Sequence, residues 1–226
     1  MTPIGLGFRA MRGGAVVVAV AVADGSPRVV LSSFLPMAAE GDRLAFEPYT
    51  VAFEMDRGPD GTASVEAVAA VAEGRERQQR IAASGLAELV AGLRTEGNEP
   101  AVAALLVNRA EWITDVLAHS LSAPEHPPVA EGLAVRDAVR FALDQAGIET
   151  AEIDEKSLSE RASDKMGVTQ AELDSRIKAL GADAGRPWRK EQKLACLAAW
   201  FALRHRHPEL VEGPSSSGRV TSRPDP

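Results

Sequence analysis

Four cations, Arg186, Arg189, Lys190 and Lys193, crowd around Pro187, a residue type that opens helices. Cations at a helix N-terminus sit where the macrodipole is already positive, so an anion such as a phosphate would offset them. The competing reading is a solvated face with Glu191 as the partner. Carboxylates collect in a second place. Glu152, Asp154 and Glu155 fall together, and Glu131 and Asp137 lie on the helical stretch before them. Divalent ions need convergent oxygens, so Glu131 with Glu155 is the pair to test as a metal site. Glu131 near a helix start and Asp137 beside Arg136 also fit plain surface positions. Ser163, Gly167, Leu173 and Ile177 have the spacing of a helix-turn-helix, with Arg176 and Lys178 on its second helix. Glu172 and Asp174 on that helix would face phosphates, and a structural pair of short helices joined at Gly167 is the plainer reading.

Other chemistry finds little support. The lone Cys196 lies in an apolar helical stretch and reads as a small buried hydrophobe. Trp112, Trp188 and Trp200 are too scattered for a base-stacking platform. His119, His126, His205 and His207 have no zinc-ligand spacing, and no phosphate loop, dinucleotide fingerprint or serine elbow is present. No cofactor and no conventional metal site is expected.

These residues need a scaffold. The 226 residues suit one domain, and the 45% hydrophobic share is enough for a core. The net charge of -7 argues against nonspecific coating of nucleic acid, while a local basic patch remains open. The apolar run 15–23 is far short of the roughly twenty residues that span a bilayer. With no leader in the opening residues, a soluble cytoplasmic protein without membrane contact is the expectation. The oligomeric state is not legible.

Residues 4–10, 15–23 and 28–35 read as three strands of an antiparallel meander, turned at Gly13-Gly14 and Asp24-Gly25. Residues 36–62 are irregular, with an unplaced segment at 49–55. A helical stretch follows, with Val65, Val68 and Ala72 on one face and Ile81, Leu86, Leu89, Val90 and Leu93 continuing a stripe. Gly74 and the charged run 75–80 could break it in two. Residues 101–107 read as a buried fourth strand, 111–121 as a short helix, 129–146 as an amphipathic helix and 150–154 as a fifth strand. Capping boxes at Ser157/Glu160 and Thr169/Glu172 mark two short helices. Pro187 opens a last helix to residue 203, with Leu194, Leu197, Ala198 and Phe201 inward. The reading is one domain over 1–206 with a small helical insertion at 157–181. Residues 207–226 read as a disordered tail, similar to the translation of a repetitive palindromic DNA element of bacteria.

The order β-β-β-α-β-α-β-α resembles the ribonuclease H-like superfamily, the RuvC-like junction resolvases in particular. The resemblance covers residues 3–204 and lies in topology more than in motifs. It implies an α/β fold with a mixed five-stranded sheet flanked by helices. It also implies two-metal phosphodiester hydrolysis, with carboxylates on the first strand, the fourth strand and the last helix. Here the first falls at about Gly7, the fourth strand ends Leu106-Val107-Asn108-Arg109, and the last helix begins Trp188-Arg189-Lys190-Glu191. Only Glu191, among cations, offers an acid.

On that template Arg9, Arg12, Asn108, Arg109, Lys190 and Lys193 would surround the same spot as a basic, anion-binding cleft. The expectation is a degenerate, non-catalytic member that binds a nucleic acid or a phosphorylated ligand. The alternatives are a metal-dependent nuclease with relocated carboxylates, Glu131 and Glu155, and a protein-protein interaction module.

Overall fold

The computed structural model describes residues 1–206 apart from 24, 59, 109 and 111. The expected tail and Arg109 therefore lie outside the described residues. A meander of β1 (Thr2–Met11), β2 (Gly14–Ala23) and β3 (Ser26–Pro36) opens the chain. Gly13 and Gly25 take positive φ at its two turns, as tight hairpins require. Two short helices, α1 (Arg43–Phe46) and α2 (Pro48–Glu54), lead into α3 (Val65–Thr95) and β4 (Asn98–Val107). Then come α4 (Val116–Ser122), α5 (Pro127–Gln145), β5 (Thr150–Asp154), α6 (Leu158–Met166), α7 (Gln170–Ala184) and α8 (Lys190–Arg206). The sheet order is β3-β2-β1-β4-β5, with β4 parallel to both of its neighbours.

Strand alternation divides the interior. Ile4, Leu6 and Phe8 of β1 join Val17 and Ala19 under α3 and α5. Val16, Val18 and Val20 face α8 on the other side. β2 is thus covered on both faces, which explains its unbroken Val/Ala run. Helix α8 is buried at every residue from Ala195 to Leu203, because α6 and α7 close over it with Leu158, Ala162, Leu173 and Ile177. The sequence placed only one face of this helix inward. A third layer makes it a core helix.

Three local expectations change. Helix α3 runs unbroken through Gly74, whose missing side chain admits the Leu44 carbonyl; a Cβ there would lie 2.5 Å from that oxygen. Its inward residues at the start are Ala67 and Val71, while Val65, Val68 and Ala72 are exposed. The Thr169 capping box is complete, but Ser157 makes no cap bond; its hydroxyl donates instead to the Asp154 carbonyl.

Candidate functional site

The ends of β1, β4 and β5 meet the start of α8, and there the resemblance places metal-binding carboxylates. On β1 the α8-facing line is Gly5, Gly7, Arg9. A Cβ built on Gly7 would lie 1.9 Å from the Ala195 carbonyl oxygen, and one on Gly5 2.3 Å from that of Ala199. Helix backbone therefore fills the volume that a side chain at position 7 would need. The residues present do not fit a two-metal centre: the β1 position is sealed, and the next side chain along that face is a cation.

That cation is Arg9. Its Nε donates to Glu155 Oε2 at 2.9 Å and one terminal nitrogen to Oε1 at 3.1 Å, a bidentate fork. Its other terminal nitrogen lies 3.6 Å from Glu191 Oε1 in the first turn of α8. A guanidinium thus ties the end of β5 and the head of α8 to the end of β1. Glu131 lies elsewhere. It is buried in α5, and one carboxylate oxygen accepts from the Tyr49 and Thr50 amides at 2.9 and 2.8 Å. Those amides belong to the first turn of α2, whose N-cap residue Glu47 supplies no side-chain bond. Glu131 is therefore a cap supplied by another helix. Burial, opposed by these hydrogen bonds, raises its pKa to about 7. The relocated pair does not converge: Glu131 is committed to α2 and Glu155 to Arg9. No group of three or more metal-ligating side chains occurs among the described residues.

The expected basic ring is likewise not one cavity. Arg12 and Asn108 line a cleft of about 340 Å³ with Arg136 and Gly132, apart from Lys190 and Lys193. Arg12 is paired with Glu47, which also binds Arg43, and Arg136 donates to the Asn108 side-chain Oδ1. Burial works against the Glu47 charge, but these two arginines outweigh it and lower its pKa. Lys190 and Lys193 project from the head of α8 with Arg186 and Arg189, all exposed. Two contacts position this group. The Trp188 ring packs on Gly181 of α7, and its indole N–H donates to the Ile177 carbonyl at 3.1 Å. Gln192 Oε1 accepts from the Arg189 amide at 3.0 Å, capping the helix without an acid.

One signal was readable from sequence and missed. Residues 156–206 hold eleven Lys or Arg against six Asp or Glu, a net of +5. Residues 1–155 hold twelve against twenty-three, a net of −11. In the first region Arg9, Arg12, Arg43, Arg75, Arg77, Arg80, Arg94 and Arg140, eight of the eleven described arginines, are in ion pairs. In the second, among the described residues, only Arg206 of the basic side chains forms one. Arg176 and Lys178 are exposed on α7, whose Leu173 and Ile177 are buried against α8. Cys196 is buried, and desolvation pushes its thiol up to about 12, consistent with a packing role.

Two solved structures of Thermus thermophilus RuvC are similar to this chain over nearly its whole length. The first matches at 10% identity over 93% of this chain and 96% of that one, with a TM-score of 0.49. The second, in complex with its Holliday junction substrate, matches at 11% identity over 93% and 97%, with a TM-score of 0.50. The fold is ribonuclease H-like, with RuvC topology. No protein-family model and no curated protein matches the sequence. At this identity the RuvC likeness shows the fold alone. Among the described residues no helix is long and apolar enough to cross a membrane.

Proposed function

We propose that this RuvC-like chain is a binding protein without metal-dependent hydrolysis, and that its partner is a nucleic acid held by the exposed cations of α6–α8. The observation that carries the reading is the division of charge. Cations that already hold carboxylates have little to offer a phosphate, whereas Arg186, Arg189, Lys190 and Lys193 are exposed at a helix head, where an anion is favoured. The sealed position above Gly7 supports the non-catalytic half, since the two-metal mechanism that the resemblance implies takes a carboxylate from that strand. The junction bound by Thermus RuvC makes branched DNA the first probe. Of the six residues proposed from sequence, Lys190 and Lys193 stay in this site. Arg9 becomes a positioning residue, and Arg12 and Asn108 belong to the neighbouring cleft.

Fluorescence anisotropy with a labelled four-way junction, a duplex and a single strand tests the reading. Binding at low salt should fall steeply as salt rises, and the strands should stay intact with Mn²⁺. Cleavage that disappears in Glu155→Gln would overturn the non-catalytic half. No binding to any of the three probes would overturn the other.

A further inference from the structure

Beside the cation group lies a groove of about 300 Å³ that the reading above does not use. Met11, Val16, Ser32 and Phe34 line it from the strands, and Arg189 and Gln192 from the start of α8. The pairing register explains the strand side. Phe34 pairs with Val16 and Ser32 with Val18, so both point to the α8 face, beyond the point where α8 begins. Phe34 is 47% exposed there, with its ring tip resting on Gly14, where a Cβ would lie 2.5 Å from Cζ. An aromatic ring is thus held against backbone and left about half exposed at the edge of the groove. The groove's one acid is Glu191, which already faces Arg9.

We propose that this groove takes one unpaired base of a single-stranded nucleic-acid segment whose phosphates lie on Arg189, Lys190 and Lys193. The inference rests on the nucleic-acid reading and names the form of its ligand. Charge complementarity favours this occupant over an apolar peptide, since Arg189 lines the groove unpaired with any carboxylate among the described residues, while the groove's one acid, Glu191, faces Arg9. The combination of an open aromatic ring with adjacent cations suits a flat base joined to phosphate. The Ser32 hydroxyl, able to donate or accept, meets a base edge without selecting among bases.

The test compares oligothymidylate of about 12 nucleotides with an abasic strand of the same length and charge. Wild type should bind the thymidylate about tenfold more tightly, the range of one stacked base. Phe34→Ser should abolish that preference and leave the salt dependence unchanged. Phe34→Leu, which keeps apolar volume at the site, should lose most of the preference too. Lys190→Glu with Lys193→Glu should weaken both strands alike. Equal wild-type affinity for the two strands, or a preference that survives both Phe34 variants, would overturn the inference while leaving nucleic-acid binding intact. Absence of binding to either strand would remove both.

Discussion

The two helical layers of this molecule treat arginine in opposite ways. Over one face of the sheet, α1, α2, α3 and α5 hold Arg43, Arg75, Arg77 and Arg140 in pairs with carboxylates of neighbouring elements. Over the other, α6, α7 and α8 present Lys165, Arg176, Lys178, Lys190 and Lys193 to solvent, with Arg189 just before α8. In the first layer the cations are part of the fold's own electrostatics, and screening by salt should reach them little where they are half-buried. In the second they are a surface offered outward. The same division separates the two carboxylates once considered as a metal pair: each is consumed by a structural partner on its own side.

The comparison breaks most visibly at β1. Gly7→Asp should cost about 3 kcal/mol or more, or prevent folding, because the α8 backbone leaves no volume. Urea denaturation and a Mn²⁺ titration would check this. A stable Gly7→Asp protein that binds Mn²⁺ would mean that α8 can lift away and that this fold position can hold a metal-binding carboxylate.

On the paired side, Glu131 makes stability depend on pH. Its folded pKa of about 7 lies above the ordinary carboxyl value, so from about pH 4.5 to 7 the folded state holds a proton the unfolded chain has lost. Stability from this group is present at acid pH, falls by up to roughly 3 kcal/mol as pH rises through that window, and levels above it. Glu131→Gln keeps the oxygen that caps α2, and the wild-type-minus-variant difference in denaturation free energy should show that slope. A flat difference between pH 4.5 and 7.5 would contradict the assignment.

Arg9 offers a smaller effect between the layers. Arg9→Met should lower stability by about 1–2 kcal/mol, as expected for lost charge-assisted hydrogen bonds that are partly exposed. Salt should shrink the penalty by weakening the repulsion left between Glu155 and Glu191. A loss of nucleic-acid binding larger than the loss at Lys190 and Lys193 would instead make Arg9 part of the binding surface.

Much of this fold was legible because period and turn chemistry are local. The β2 run, the Gly13-Gly14 and Gly25 turns, the fifth strand and the Thr169 capping box follow from neighbouring residues alone. What stayed hidden depends on distant packing. Gly74 reads as a helix breaker until Leu44 is seen to press on it, and Ser157 reads as a cap until Asp154 takes its hydroxyl. Glu131 looks like an acid placed for its own helix dipole, yet it serves another helix. The lack of an acid at Gly7 is visible in sequence, but only the position of Ala195 shows that the space above it is closed. Phe34 gave no signal, because an aromatic at a strand end is ordinary until the start of α8 leaves it uncovered.

The division between the layers is tested most directly by the salt dependence of single-strand binding in two charge-reversed proteins. One carries Lys190→Glu and Lys193→Glu; the other carries Arg80→Glu and Arg94→Glu on the exposed side of α3. The first should bind more weakly, with the slope of log K against log salt reduced by about 1.4, from 0.7 for each of two lost contacts. The second should match wild type. Equal slopes in the first protein and wild type, or an equal loss in both variants, would contradict a binding surface on α6–α8.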